Sequence, residues 1–220
     1  YGWGTWRALN WWAEEGGDNK LKVSAINISE TFNYSILKGL KFSATAGYNT
    51  STATRDTQQK SIEWYNYAGD QLVRTSPTDA ESSYTKTNAR TDFYSVSGHL
   101  EWSHLFADVH DVKVMVGSQY NMKEYEYTYI RAMGILPSLE IPNSKDGLIY
   151  LTSDDKKTNS SKWQEAVLSY FGRANYNYRS KYMLEGQFRY DGSSKFQPEN
   201  RWAFYWGVSG GWRLSEEAFI

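Results

Sequence analysis

Alternating polarity dominates the stretch from Leu168 to Leu214, and it constrains the fold more than any other feature of the sequence. In its last segment, apolar residues and one glycine occupy the even positions: Trp202, Phe204, Trp206, Val208, Gly210, Trp212 and Leu214. The segment before it places Tyr182, Leu184, Gly186, Phe188 and Tyr190 in one phase, and Lys181, Met183, Glu185, Gln187 and Arg189 in the other. Because successive side chains point to opposite faces of a strand, each segment is predicted to be a β-strand with one apolar and one polar face.

The length of these strands and their aromatic ends indicate a membrane. A tilted strand crosses a bilayer with about 9–11 residues, and transmembrane barrels carry aromatic girdles at both interfaces. The sequence therefore predicts a periplasmic-side girdle of Tyr176, Tyr178, Tyr182 and Trp212. The charged residues of the other phase are predicted to face the lumen, and they are Arg173, Glu185, Arg189, Arg201 and Arg213.

The composition supports a sheet that contacts lipid on one side and water on the other. Aromatic residues make up 17% of the chain, yet the mean hydropathy is −0.69. A net charge of −1 gives no electrostatic footprint for nucleic acid. The absence of cysteine excludes disulfides, thiol catalysis and cysteine-based zinc sites. No apolar run approaches the length of about 18 residues that a transmembrane helix needs.

Short and long connections alternate along the chain. Further strands are predicted over 21–36, 40–49, 94–102, 112–129 and 166–178, with Gly39 in a tight hairpin turn. The connections at 37–40, 104–111 and 178–181 are short, whereas those at 51–90, 131–162 and 191–200 are predicted to be longer loops. Outer-membrane barrels place short turns on the periplasmic side and long loops outside. The predicted fold is therefore an all-β, antiparallel transmembrane β-barrel segment.

Several motifs in the C-terminal part resemble the SusC/RagA-type TonB-dependent transporters of Bacteroidota. These motifs are Phe171–Tyr178, Lys181-Tyr182, Arg189–Phe196, Asn200–Trp202 and Gly211–Glu217, and the phrase Leu37–Phe42 is similar to a recurrent hairpin of that family. The resemblance is strong over about 167–220 and weaker back to about residue 20. It implies a barrel of about 22 strands. Residues 1–220 are then expected to be part of one outer-membrane barrel domain, without the plug domain or the TonB-contacting segment.

The resemblance also implies a function and its partners. Such a transporter imports oligosaccharides or peptides across the cell outer membrane, together with a SusD-like surface lipoprotein. The TonB–ExbB–ExbD complex supplies the energy. Within this scheme the chain is expected to provide barrel wall and outer loops, to be no enzyme, and to hold no cofactor or metal.

Candidate ligand-binding residues are three aromatic residues of the predicted outer loop, Trp64, Tyr65 and Tyr67. Flat aromatic rings stack on sugars, although packing within the loop is the more frequent role of such a cluster. His99, Glu101, His104 and His110 fall in different strand phases or beyond a turn, so convergence on a metal is not predicted. The acid pairs Asp154-Asp155 and Glu216-Glu217 are interpreted as solvated loop residues rather than as a glycosidase pair. Asp191–Lys195 is interpreted as a turn in which serine and aspartate bond the local backbone.

Two other functional classes remain open from the residues alone. A passive porin or structural barrel would show the same strand pattern, and an upstream plug domain would separate it from an importer. A soluble carbohydrate-binding β-sandwich could use the aromatic face for sugar stacking, and solubility without detergent would favour it. The sequence does not identify the substrate.

Overall fold

The computed structural model describes residues 16–66, 68–75, 82–133 and 160–217, and β-strands dominate these ranges. The strands are β1 (Asn19–Leu37), β2 (Leu40–Gln59), β3 (Glu63–Tyr65), β4 (Leu72–Thr75), β5 (Ser83–Phe106), β6 (His110–Met133), β7 (Ser161–Tyr178), β8 (Tyr182–Ser193) and β9 (Trp202–Trp212). One 3-10 turn, Pro198–Asn200, lies between β8 and β9, and another, Leu214–Glu216, follows β9. The prediction of an all-β chain is confirmed.

The strands form one sheet of seven and one of two. The order in the larger sheet is β1-β2-β5-β6-β7-β8-β9, so strands that follow each other in this sheet are also neighbours in space. β3 and β4, which lie between β2 and β5 in the sequence, form a separate antiparallel hairpin. β7 pairs antiparallel with β8, and β8 pairs antiparallel with β9.

The described residues divide into two compact units. The first contains those within 1–25, 51–91 and 125–162, and the second contains those within 26–50, 92–124 and 163–220. The first unit holds the β3–β4 hairpin and the buried residues Ile62, Ala132, Ser82 and Ser83. The second unit holds β7 from Trp163 onward, β8, β9 and the three short connections.

Two of the predicted loops are shorter than expected, because the strands beside them extend further. β2 continues to Gln59 and β5 begins at Ser83, so much of 51–90 is strand, and β8 continues to Ser193. The extended parts lack an apolar face, so alternating polarity cannot reveal them, while their frequent threonines favour strand geometry. The alternation of short and long connections nevertheless persists, because only two or three residues separate β1 from β2, β5 from β6 and β7 from β8.

The short turns are shaped by residues with positive φ. Gly39 has φ +85, as the hairpin prediction requires. Ala107 and Asp108 have φ 47 and 58, and Arg179 and Ser180 have φ 49 and 57. Two consecutive positive φ angles with an i to i+3 hydrogen bond define a type I′ turn, and Val109 N donates to Phe106 O at 3.2 Å. Asparagine and glycine are the residues that normally occupy such positions.

We therefore expect the double substitution Ala107→Asn, Asp108→Gly to stabilise the protein. A non-glycine residue in the left-handed region costs about 1–2 kcal/mol, and the substitutions relieve this strain. Part of the stabilisation is offset by the greater conformational freedom of glycine in the unfolded chain. The free energy of unfolding should rise by up to about 1 kcal/mol, measured by urea titration of the full-length protein in detergent. Ala107→Val at the same site should lower it.

Candidate functional site

The sheet formed by β7, β8 and β9 has two chemically distinct faces in exact register. Across β8 and β9, Phe188 pairs with Trp206, Tyr190 with Phe204, and Gly186 with Val208. Across β7 and β8, Tyr170 pairs with Tyr190 and Tyr176 with Leu184. The opposite face carries the pairs Arg173–Gln187, Asn175–Glu185 and Glu185–Ser209. The predicted apolar and polar phases therefore align across three strands.

The apolar face of this sheet is exposed. Trp206 is 74% exposed and Val208 is 66% exposed, and Phe188, Phe204 and Leu184 are exposed as well. Two glycines of this face lie beneath aromatic rings: a Cβ on Gly192 would lie 2.8 Å from Trp202, and one on Gly172 would overlap Phe188. The aromatic rings thus pack along the sheet surface and leave much of their area exposed.

Aromatic residues form a row at each end of the apolar face. At the end near the turns, the ring centroids of Tyr178 and Tyr182 are 6.3 Å apart, and those of Tyr182 and Trp212 are 6.4 Å apart. At the other end, Tyr190 stacks on Trp202 at 4.7 Å and Tyr170 on Trp202 at 6.1 Å. Eight residues separate Tyr182 from Tyr190, which corresponds to about 26 Å at about 3.3 Å per residue. Transmembrane barrels have an apolar band about 25 Å tall between their girdles.

The polar face carries a hydrogen-bonded group near the end of β8 that lies away from the β7–β8 turn. Arg189 Nε donates to Asp191 Oδ1 at 2.7 Å and to Oδ2 at 2.9 Å, and Arg189 Nη2 donates to the buried Ser169 Oγ at 2.9 Å. Further along the same face, Asn175 Nδ2 donates to Glu185 Oε2. Arg173, Glu185 and Arg189 therefore lie on one face, as predicted. Arg201 lies beyond the strands at the end of a 3-10 turn, and Arg213 follows β9.

The Glu217 carboxylate, which follows β9, contacts residues at the β7–β8 turn and at the start of β8. Glu217 Oε1 accepts hydrogen bonds from Tyr182 Oη at 2.6 Å and from Trp212 Nε1 at 3.1 Å. Lys181 Nζ lies 3.5 Å from Glu217 Oε2. The hydrogen bond from Tyr182, followed by that from Trp212 and the charge of Lys181, lowers the pKa of the Glu217 carboxyl below its usual range. Glu217 thus holds the segment after β9 against β8 through three side-chain contacts, whereas the sequence interpretation treated it as a solvated loop residue.

The lowered pKa of Glu217 predicts a pH dependence of stability. A carboxyl with a lower pKa in the folded state stabilises the fold above its unfolded pKa, and this contribution is lost as the pH falls through the folded value. We expect the free energy of unfolding to fall below about pH 4.5, the ordinary glutamate value. Glu217→Gln should show a smaller fall, measured by urea midpoints at pH 7 and pH 3.5. Glu216→Gln, one residue away, should match the unsubstituted protein.

Two of the predicted aromatic ligand candidates, Trp64 and Tyr65, are neighbours in β3 of the small β3–β4 hairpin. Trp64 pairs with Arg74, whose guanidinium carbon lies 5.7 Å from the Trp64 ring centroid. Tyr65 pairs with Leu72, and the register of the hairpin shifts between these two pairs. Tyr67 lies outside the described residues. Trp64 and Tyr65 therefore have different partners across the hairpin.

The hairpin holds Tyr65 in a defined position. Asn66 Oδ1 accepts from Gly69 N at 2.8 Å and from Asp70 N at 3.2 Å, which fixes the loop between β3 and β4. Tyr65 Oη donates to Glu63 Oε2 at 2.6 Å, and this hydrogen bond to a carboxylate raises the pKa of the Tyr65 phenol. The Tyr65 side chain is 46% exposed. Its ring is therefore available for contact on a rigid support.

The remaining candidates have local roles. His110 Nδ1 lies 2.7 Å from Tyr176 Oη, and His104 packs against Trp102 and Phe106. Within the described ranges, no three histidine or acidic side chains converge as metal ligands. Ser193 Oγ accepts from Lys195 N at 3.3 Å, as the turn interpretation predicts, whereas Ser194 Oγ accepts from Ala166 N of β7 at 2.8 Å. Asp191 instead lies in β8 and binds Arg189, while Asp154 and Asp155 lie outside the described residues.

No helix in the described part of the chain is both long enough and apolar enough to cross a membrane.

Comparisons with known proteins give a consistent relationship. No protein-family model matches the chain. It is 27% identical over 203 residues to the TonB-dependent receptor P39 of Formosa agariphila, covering 87% of this chain and 17% of that protein. It is 39% identical over 57 residues to the TonB-dependent receptor SusC of Bacteroides thetaiotaomicron, covering 26% of this chain and 6% of that protein.

A solved structure of the RagAB peptide transporter shares the fold. It matches 96% of this chain and 22% of that chain with a TM-score of 0.73 and 19% identity. The chain thus spans less than a quarter of each of these three proteins. All three are named as receptors or transporters, in agreement with the prediction that the chain is not an enzyme. The predicted resemblance to SusC/RagA-type TonB-dependent transporters is therefore confirmed, and this chain is similar in sequence and fold to a segment of such proteins.

Proposed function

We propose that this chain forms wall and outer loops of a TonB-dependent importer in the cell outer membrane. The observation that carries the proposal is the inverted distribution of apolar side chains. Among the described residues, the buried apolar ones are Ile62 at 2% and Ala132 at 3% exposure, whereas the β7–β9 sheet exposes a complete apolar face. Burial of such side chains drives the folding of a water-soluble domain. A sheet that leaves them outside therefore requires a non-aqueous environment on that face.

The edges of the seven-stranded sheet support a larger parent barrel. β1 and β9 are its edge strands, and the side chains of β1 are exposed throughout. In lipid, each unpaired backbone group costs several kcal/mol, so both edges need further strands. Because the relatives are much longer than this chain, we propose that the parent polypeptide supplies those strands and closes a barrel of about 22 strands.

The parent protein is proposed to take up oligosaccharides or peptides with a SusD-like surface lipoprotein, energised by the TonB–ExbB–ExbD complex. Support for this class comes from the names of the relatives, one of which is SusC and another a peptide transporter. The rigid β3–β4 hairpin, with its exposed Tyr65 ring, is the outer element proposed to contact ligand.

The test uses the full-length protein in its native bacterium. We expect the protein in the outer-membrane fraction, in complex with a lipoprotein. We also expect the uptake of oligosaccharides or peptides through it to stop when the proton gradient is collapsed. Uptake that continues without the gradient would indicate a passive porin. Recovery of the protein in the detergent-free soluble fraction would reject the membrane assignment and favour the soluble sandwich.

A further inference from the structure

We infer that the polar face of the β7–β8–β9 sheet contains a binding site for a carboxylate group, centred on Arg173. The inference deepens the proposed function, and it depends on that function only for the statement that this face lines the lumen. The site itself is defined by a cavity, by the register of three strands and by the balance of charge.

A cavity of about 350 Å³ lies against the middle of this sheet. Residues of the polar phase that line it are Phe171, Arg173, Gln187, Arg189 and Tyr205, and Met115, Gly172, Phe188 and Trp206 complete the lining. Arg189 pairs with Phe171 on one side and with Tyr205 on the other, so these three form one row. In the next row Arg173 pairs with Gln187, and Gln187 pairs with Gly207. Gly207 has no side chain, and the Gln187 side chain lies over it, since a Cβ on Gly207 would be 3.4 Å from Gln187 Nε2.

The cavity has an excess of positive charge. No aspartate or glutamate lines it, whereas two arginines do. Arg189 is compensated, since its guanidinium binds Asp191 and Ser169. Arg173 is exposed and makes no ion pair or hydrogen bond with any described side chain. One uncompensated guanidinium therefore faces the cavity.

The nearest acid to Arg173 on β8 is already engaged. Glu185 lies diagonally across from Arg173, at a separation of about 7–8 Å for such neighbours. Its carboxylate accepts a hydrogen bond from Asn175 Nδ2. Arg189 lies at the other diagonal position and would repel a second cation. The free position beside Arg173 consequently favours an anion supplied from outside this sheet.

The lining suits a carboxylate. A guanidinium binds carboxylates through two parallel N–H donors. Phe171 and Tyr205 provide aromatic surfaces on the two sides of the first row. The ligand is therefore a carboxylate on a carbon skeleton, which a solute in the lumen or an acidic side chain of the parent polypeptide could supply.

The experiment measures binding of two tripeptides, triaspartate and triasparagine, to the full-length protein in detergent by calorimetry. We expect triaspartate to bind at least 10-fold more tightly than triasparagine. Arg173→Gln should weaken triaspartate binding about 10-fold, and Arg173→Lys should weaken it less. Lys41→Gln, which removes one cation from the polar phase of β2, should leave binding unchanged.

The remaining outcomes distinguish a carboxylate supplied by a solute from one supplied by the parent polypeptide. They also distinguish a failure of the carboxylate site from a failure of the proposed import. If triaspartate fails to bind but Arg173→Gln lowers the unfolding temperature more than Lys41→Gln does, the carboxylate comes from the parent polypeptide. Equal binding of both peptides, binding that Arg173→Gln leaves unchanged, or absence of both effects would overturn the inference. Because this assay needs no energised membrane, its failure is distinct from a failure of energised import.

Discussion

Val208→Arg is expected to prevent stable insertion of the parent protein into the membrane. Val208 is paired with Gly186, which lies four residues from Tyr182 and four from Tyr190, so it occupies the middle of the apolar band. A cation at the bilayer midplane on the lipid face of a barrel costs about 2–4 kcal/mol. That is a large fraction of the net stability of a typical protein, about 5–15 kcal/mol. The measurement is the folded fraction in outer membranes, read from the heat-dependent shift in gel mobility.

The adjacent residue provides the matched control. Ser209 points to the polar face and pairs with Glu185, so Ser209→Arg introduces the same side chain beside an acid. We expect Ser209→Arg to leave the folded fraction near that of the unsubstituted protein. Equal damage from both substitutions would contradict the assignment of the two faces.

Gly39→Val is expected to destabilise the β1–β2 hairpin by about 3 kcal/mol. Two causes add: a non-glycine residue at φ +85 costs about 1–2 kcal/mol, and a Cβ at this position would lie 2.3 Å from the backbone oxygen of Ser103. That oxygen belongs to backbone and cannot rotate away. Its displacement would also strain the bond from Ser103 N to Gly39 O, now 2.7 Å and worth about 1 kcal/mol. Urea unfolding of the full-length protein measures the loss.

Two further substitutions separate these causes. Lys38→Val changes the neighbouring turn residue, where φ is not positive, and should have an effect below about 0.5 kcal/mol, as for most surface positions. Gly39→Asn tolerates the left-handed conformation better than valine but keeps the overlap with Ser103, so an intermediate loss is expected. A loss for Gly39→Asn as small as that for Lys38→Val would show that the close approach of Ser103 is unimportant.

The sequence by itself determined the strands that have one apolar face. In β8 and β9 the alternation of Leu184, Phe188, Trp206 and Val208 with polar neighbours is a local signal, because the two-residue period of a strand is set by backbone geometry alone. The turn at Gly39 was also predictable from local sequence, because glycine is the residue that adopts positive φ at low cost. The C-terminal motifs also predicted the resemblance to SusC/RagA-type transporters, which the relatives confirm.

Only the tertiary structure decided which side chains meet. The register of β7 on β8 and of β8 on β9 places Arg173 beside Gln187 and leaves it without an acid, a result that depends on pairing between residues distant in the chain. The loop predicted at 51–90 is largely strand over 51–59 and 83–90, because these segments are polar in both phases and carry no apolar alternation. Trp64 and Tyr65 were predicted as one cluster, and the structure adds their partners across the hairpin, Arg74 and Leu72. Local periodicity thus fixes the face of each residue, whereas the partners on that face follow from long-range strand pairing.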